Sequence, residues 1–507
     1  MTYTDEKVAP KREDRHGTCT AFGGELCGLK KSFGGGCSMV DNERAFRQGS
    51  ICQMLPAAAI IATLPDTVVL MHGAVGCGGC NHTFMASTRG RQMQTTGNPP
   101  GVLWISTALG ETDVVNGGEE KLRGAILEAD ERYRPRAIFV ISTCTPSVIG
   151  DDVDGIIDAV RDAVSADIVP VHCEGFKTKV MATAYDSVYH GIARTLMDAP
   201  EEPEYSSVDS ELEREAERLR RSRLVNLLNV SSMGDDDEAE LSRLLRSLGL
   251  DVNIYPCFAE PENLRYATEA ALSVSSCPTH DDYFVTFLKE KFGVPYVLRH
   301  MPLGIANTTD WIRGVAEAMG KEEIAEKLIA RETAELEKAL GPLRAKLAGK
   351  TAVISAGEVR SLSIGTLLHE LGMRTLAVRP YHYDQFGAPA AEKLIEVEPT
   401  LTVNVATMQP YEAVNIVQRA RPDIYIGHNA DNVWAAKHGI PCLPVYGGPN
   451  TYMGYAGVFD IARRLARKLA NPSFNRRLGE NVRSPFTESW FESDPFSLVA
   501  EVECADV

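Results

Sequence analysis

An α/β protein of three Rossmann-like units with mainly parallel sheets is the fold the sequence predicts. Three observations lead there: short β-rich apolar runs recur along the 507 residues, helix-length amphipathic stretches separate them, and two long charged segments gather them into three sets. Length alone, at about 150 residues per domain, gives a count of about three. The first set of runs covers 67–71, 137–142 and 167–171; the second 224–230, 252–255, 272–274 and 295–298; the third 351–355, 375–378, 401–405, 423–426 and 442–445. The separators, 209–223 and 321–350, are rich in Glu, Lys, Arg, Ala and Leu and read as exposed helices bridging domains. This gives an irregular N-terminal arm over 1–45 and units over 46–222, 223–348 and 349–507.

Composition narrows the function. Lys and Arg total 52 against 69 Asp and Glu, a net charge of -17, which argues against nucleic acid as a partner. No apolar run reaches the roughly 18–20 residues of a membrane span, and the charged start has no apolar signal segment, so a cytoplasmic protein is expected. In that setting twelve cysteines point to reduced thiols, catalysis or metal rather than to disulfides.

Ligands of open α/β sheets gather beyond the carboxyl ends of the strands. Cys77, Cys144, Cys173 and Cys277 each follow a predicted strand. Cys77 sits in the glycine-rich turn HGAVGCGGC, where missing side chains let a bulky inorganic group approach the backbone. Cys144 precedes Thr-Pro and a helix expected near Gly150. Soft thiolates suit iron–sulfur clusters, whereas no compact double C-x-x-C pairing for zinc is present. Cys257, Cys442 and Cys504 read as small packed hydrophobes, and Cys19, Cys27 and Cys37 as ordinary thiols of the arm.

Cys52, HGAVGC, GETDVVNGG (110–118), STCTPSVIGDD (142–152), CEGF (173–176), SSCPTHDDYFVTFLKEKFGVPY (275–296) and RPDIYIGHNADNVWAAKHGIPCLPV (421–445) with GYAG (454–457) follow one another in an order that resembles the nitrogenase component-1 superfamily, α-subunit type, from about residue 45 to about 470. The resemblance implies a nitrogenase component-1-like fold. It implies that Cys52, Cys77 and Cys144 give this chain's share of a P-cluster-like [8Fe-7S] centre, and that Cys277 holds one end of a large nitrogenase-cofactor-like iron–sulfur cluster. It further implies a homologous β-type subunit in an α2β2 assembly and an ATP-dependent [4Fe-4S] iron protein as electron donor; the chain itself has no G-x-x-x-x-G-K-[ST] phosphate loop.

The pattern departs from nitrogenase proper. Where nitrogenase α subunits carry a cofactor-ligating histidine after the GIP motif, this chain has Tyr446, and no histidine follows His438. Where they carry a glutamine and a histidine after CEGF, it has Met181 and Tyr185. Losing these proton-handling groups speaks against dinitrogen reduction. The resemblance then implies a nitrogenase-like reductase of the methylthio-alkane reductase group, which cleaves the C–S bond of a small thioether to a thiol and a hydrocarbon. The alternative is a cofactor-maturation scaffold, which GEVRSLSIGTLLHELGM (357–373) also resembles. An apolar lining of Met181, Tyr185 and Tyr446 suits an uncharged thioether. His172, His190, His382 and His428 are the candidate proton donors. His382 or His428 is also a candidate for the cofactor's second end, and Arg89, Arg91 and Arg360 are candidates for holding an anionic cluster or organic acid.

Overall fold

The computed structural model describes residues 6–33, 52–79, 103–200, 210–229, 235–259, 261–406, 409–427, 429–445 and 450–492. Its strands are β1 (Phe22–Glu25), β2 (Thr67–His72), β3 (Leu103–Ser106), β4 (Ala137–Ser142), β5 (Asp167–His172), β6 (Leu224–Leu228), β7 (Asp251–Tyr255), β8 (Leu272–Ser275), β9 (Tyr296–Val297), β10 (Thr351–Ala356), β11 (Arg374–Pro380), β12 (Thr402–Val405), β13 (Ile424–Gly427) and β14 (Cys442–Pro444). They form three sheets, ordered β3-β2-β4-β5, β7-β6-β8-β9 and β1-β12-β11-β10-β13-β14, and every pairing is parallel except β1 with β12.

The sequence explains why these strands lie at sheet centres. Ala137–Ser142 (AIFVIS) is buried at every position, as a strand covered by helices on both faces must be. Such a run carries its signal in β-branched content rather than in alternation.

Two compact units contain the three sheets. The first comprises Met1–Arg12, Ile51–Asp235 and Gly249–Leu298, and the second Glu13–Ser50, Asp236–Leu248 and Arg299–Val507. In the first unit one buried cluster runs from Val69 and Phe139 through Tyr189 to Tyr255 and Phe284, so the first two sheets share a core. The stretch 223–348 is accordingly split between the units. Helix Asp235–Ser247, which links β6 to β7, belongs almost entirely to the second, where Arg243 pairs with Glu332 at 2.8 Å.

Two expectations need correction. The arm over 1–45 is not irregular throughout: β1 pairs antiparallel with β12 over Phe22–Val405 to Glu25–Thr402, and helices form over Arg12–His16 and Leu26–Phe33. The charged segment 321–350 is not an exposed bridge. Its helix Glu322–Leu347 buries Ala325, Leu328, Ile329, Leu336, Leu340 and Leu347 within the second unit, a stripe at helical spacing beneath a charged outer face. The other charged segment, helix Ser210–Arg223, exposes Leu212 and Leu219 and is a solvated helix as expected.

Candidate functional site

Two groups of cysteines in the first unit stand at the carboxyl ends of its parallel strands. The first group is built on β2 and β4, which pair from Thr67–Ala137 to His72–Ser142. The chain leaves β2 through Gly73, where a Cβ would run into the Thr143 side chain; Thr143 instead donates its hydroxyl to the His72 carbonyl at 2.9 Å. Cys77 follows in a short helical turn, and Cys144 is the first residue of a short helix, Cys144–Ile149, that precedes the helix expected near Gly150, which runs over Val153–Val160 with Asp152 as its N-cap.

Cys52 lies just before helix Met54–Ile61, far from the other two in sequence. The CEGF segment brings its thiol toward that of Cys144. Gln53 donates to the Glu174 carbonyl at 2.8 Å, and a Cβ placed on Gly175 would lie 2.8 Å from Cys52 Sγ and 3.7 Å from Cys144 Sγ. Two thiols therefore converge on a backbone position that only glycine leaves open. Cys52, Cys77 and Cys144 are half-buried and none of the three is in a disulfide. Around them Val75, Val115, Val148 and Phe176 are exposed.

Polar buttresses fix these turns from behind. His72, fully buried, contacts Thr107 Oγ1 at 3.1 Å and Asp151 at 3.0 Å, and Asp151 also accepts the Gly118 N–H. Burial lowers the His72 pKa despite the Asp151 charge. His172 bridges Asp154 at 3.0 Å and Glu174 at 3.5 Å. Burial works against its charged form, but the hydrogen bonds and charges of those two carboxylates outweigh it and push its pKa up to about 9. His190 contacts the Tyr283 hydroxyl at 2.6 Å and the Glu6 carbonyl at 2.9 Å, and burial pushes its pKa down to about 4. Both histidines are thus held in structural contacts, His172 by two carboxylates that favour its charged form and His190 by contacts in a buried setting that favours its neutral form.

Cys277 forms the second site. It is 2% exposed and precedes helix Pro278–Phe292 at the N-cap position. The capping task falls to Asp281, which accepts the Cys277 N–H at 3.2 Å and the Ser275 hydroxyl at 2.7 Å on one oxygen and the Tyr189 hydroxyl at 3.2 Å on the other. Burial raises the Asp281 pKa to about 7. The thiol is spared capping. Arg12, fully buried, ties the same first turn down by donating to the Thr279 carbonyl at 2.6 Å and to Asp282 at 2.8 Å.

Tyr185, one of the expected lining residues, stacks on the His280 ring at a centroid distance of 3.9 Å. His280 lies three residues beyond Cys277, and its N–H donates to the Cys277 carbonyl at 3.0 Å. Its place in the helix's first turn, one turn from the thiol, was the available signal, and reading the stretch for its cysteine alone passed over it. Gly175, Gln53 and Arg12 were missed as well; only the glycine of CEGF carries a visible cue. Met181 is half-buried just before helix Thr183–Thr195.

The remaining candidates separate. Cys173 is fully buried, its thiol pKa pushed well up by burial and then by the Glu174 charge. Cys257 is equally buried, and burial raises the Cys442 pKa to about 12 while its thiol contacts the Asn432 and Ile440 carbonyls. Cys19 is disulfide-bonded, which overturns its reading as an ordinary thiol, and its backbone forms a two-way bridge with that of Tyr383. In the second unit His382 Nε2 lies 3.6 Å from Glu358, and Arg360 donates to the Val445 carbonyl at 3.2 Å. Cys37, Cys80, Arg89, Arg91, His428, Tyr446 and Cys504 lie outside the described residues.

Known proteins resemble this chain over most of its length. Residues 52–470 match the family described as nitrogenase component 1 type oxidoreductase. The nitrogenase iron-molybdenum cofactor biosynthesis protein NifE of Nostoc sp. is 28% identical over 438 residues, covering 84% of both chains. The nitrogenase molybdenum-iron protein alpha chain of Methanothermobacter marburgensis is 25% identical, covering 83% of this chain and 87% of that one. Among solved structures, nitrogenase Cp1 at pH 5 superposes with a TM-score of 0.67 at 20% identity over 87% of this chain and 92% of that one, which shows the shared fold. No helix among the described residues is long and apolar enough to cross a membrane.

Proposed function

The chain belongs to the nitrogenase component 1 type oxidoreductase family, and we propose that it is the catalytic α-type subunit of a reductase that cleaves the C–S bond of a small thioether. The observation that carries the reading is the convergence of Cys52 and Cys144 on Gly175. Half-buried thiolates beside a position without a side chain fit a bulky iron–sulfur group far better than they fit one compact ion. Three thiolates fall short of the four such clusters use, and the exposed Val75, Val148 and Phe176 beside them suit coverage by a homologous β-type subunit supplying the rest. Cys277, anchored by Asp281 and relieved of capping, would hold the active-site cluster.

The iron–sulfur groups, when bound, store the electrons that an ATP-dependent iron protein delivers and pass them to the substrate. The balanced change is a thioether plus two electrons and two protons, giving a thiol and a hydrocarbon. This chain's residues position and protonate. Met181 and Tyr185 offer an uncharged thioether an apolar wall. His280, held flat against Tyr185 one helical turn from Cys277, is the imidazole placed to act as proton donor. The test is anaerobic purification with the partner subunit, then hydrocarbon release from a methyl thioether with iron protein, ATP and reductant present.

A second reading is a cofactor-maturation scaffold, favoured by the identities: 27–28% to NifE chains of Nostoc, Rippkaea and Methanococcus against 25% to alpha chains. Transfer of cofactor to an apo-enzyme without hydrocarbon release would select it.

A further inference from the structure

The second unit carries a cluster that neither cysteine site uses. Glu358 opens helix Glu358–Glu370 just after β10, and His382 and Asp384 follow β11, its parallel neighbour. The three therefore meet at the carboxyl edge of the third sheet, where α/β folds place ligands. One ligand atom of each lies within 4.8 Å of the others, and the residues are only 1%, 5% and 0% exposed.

Their surroundings fix the donors. The Asp384 N–H donates to Glu358 Oε1 at 2.6 Å, leaving Oε2 of the same carboxylate on the side of His382 Nε2, 3.6 Å away. Asp384 is oriented by the Phe386 N–H at 3.0 Å and the Thr18 hydroxyl at 3.4 Å. Tyr383, between the two ligating positions, provides a separate indication. It is 1% exposed, and its hydroxyl has no hydrogen-bond partner among the described residues. A buried hydroxyl without such a partner has a place for a bound ion's water.

We propose that Glu358, His382 and Asp384 bind one divalent cation of the Mn²⁺, Fe²⁺ or Zn²⁺ class. Two carboxylates and one imidazole suit these borderline ions. Donors at about 2.0–2.2 Å from a metal stand roughly 3–3.6 Å apart, so the 3.6 Å His382–Glu358 edge already matches and any wider edge, none above 4.8 Å, closes on binding. A divalent charge also compensates two buried carboxylates, which a low-dielectric interior otherwise penalises. His382 is thereby given a site of its own rather than the far end of a cofactor. The inference stands independently of the thioether reading.

The experiment uses the full chain purified with its partner subunit, freed of loosely held metal with a chelator and titrated with Mn²⁺, free Mn²⁺ being read by electron paramagnetic resonance. One Mn²⁺ per chain is expected, bound at least about 10-fold more weakly in His382→Ala, Glu358→Gln and Asp384→Asn. Mn²⁺ should raise the melting temperature of the parent and not of any variant that folds. Cys77→Ala and Cys277→Ala should keep the Mn²⁺ equivalent whatever becomes of their iron and sulfide, which separates this site from the cysteine sites. Absence of tight Mn²⁺ and Zn²⁺ binding in the parent, or equal binding in all three ligand variants, overturns the proposal.

Discussion

Cys144 and Cys173 leave adjacent parallel strands, β4 and β5, whose last residues Ser142 and His172 are in register, yet the two thiols live in different chemistry. Cys173 comes directly after its strand and remains in the core cluster with Tyr189 and Ile192 of helix Thr183–Thr195, where burial holds it as a thiol. Cys144 comes one residue later in its turn, after Thr143 has bonded back to the His72 carbonyl, and opens a helix with its sulfur half-buried beside Gly175. One residue of offset at a strand end separates a packing thiol from a ligand candidate. At these two strand ends burial, more than the presence of a cysteine, decides which is which, whereas the buried Cys277 is set apart by its place at a helix N-cap.

The sharpest way to break this contrast is to remove sulfur from each environment. Cys277→Ala should abolish thioether reduction and lose cofactor iron while keeping the iron of the interfacial cluster. Cys173→Ala should leave iron content and turnover unchanged and cost only about 1–2 kcal/mol of stability, measured by denaturant unfolding.

Gly175→Ala probes the open position itself. The added methyl falls 2.8 Å from Cys52 Sγ, so an overpacking cost of about 1–3 kcal/mol is expected, together with loss of the interfacial cluster's iron and of its electron paramagnetic resonance signal. Unchanged iron in a folded Gly175→Ala protein would remove the reason for regarding that glycine as part of a cradle.

A smaller effect is expected at the stacked pair. His280→Ala should lower turnover by about 10²-fold and flatten its dependence on pH, the signature of a lost proton donor. Tyr185→Phe preserves the stacking face and should stay close to the parent.

The least effect on activity, with a defined effect on stability, belongs to His172. Its pKa rises from 6.5 unfolded to about 9 folded, so the native state binds the extra proton. The stabilisation is complete below about pH 6.5 and is lost as pH climbs through 9. His172→Gln should be less stable at pH 6 and should lose less stability than the parent between pH 6.5 and 9, read from urea midpoints.

Much of the fold was legible because central parallel strands write themselves as short apolar runs: β4 as AIFVIS, β10 as TAVISA and β13 as IYIG. The two strands absent from the sequence reading are those with weak signals. Phe22–Glu25 contains two glycines and is held at a sheet edge by β12, and Leu103–Ser106 is four half-buried residues. The placing of Cys52, Cys144 and Cys277 near useful geometry was legible through strand ends and motif order. The roles of Gly175 and Arg12 were not, since they arise from contacts between stretches far apart in the chain, such as Arg12 with Asp282; His280, in the first turn after Cys277, had a local cue.

Iron and acid-labile sulfide, counted per αβ pair after anaerobic purification with the partner subunit, test the central claim most directly. The account predicts two separable pools, one lost in Cys277→Ala and the other in Cys77→Ala, and neither touched in Cys173→Ala. Iron near zero in the parent protein, or a single pool lost equally in all three variants, would contradict it.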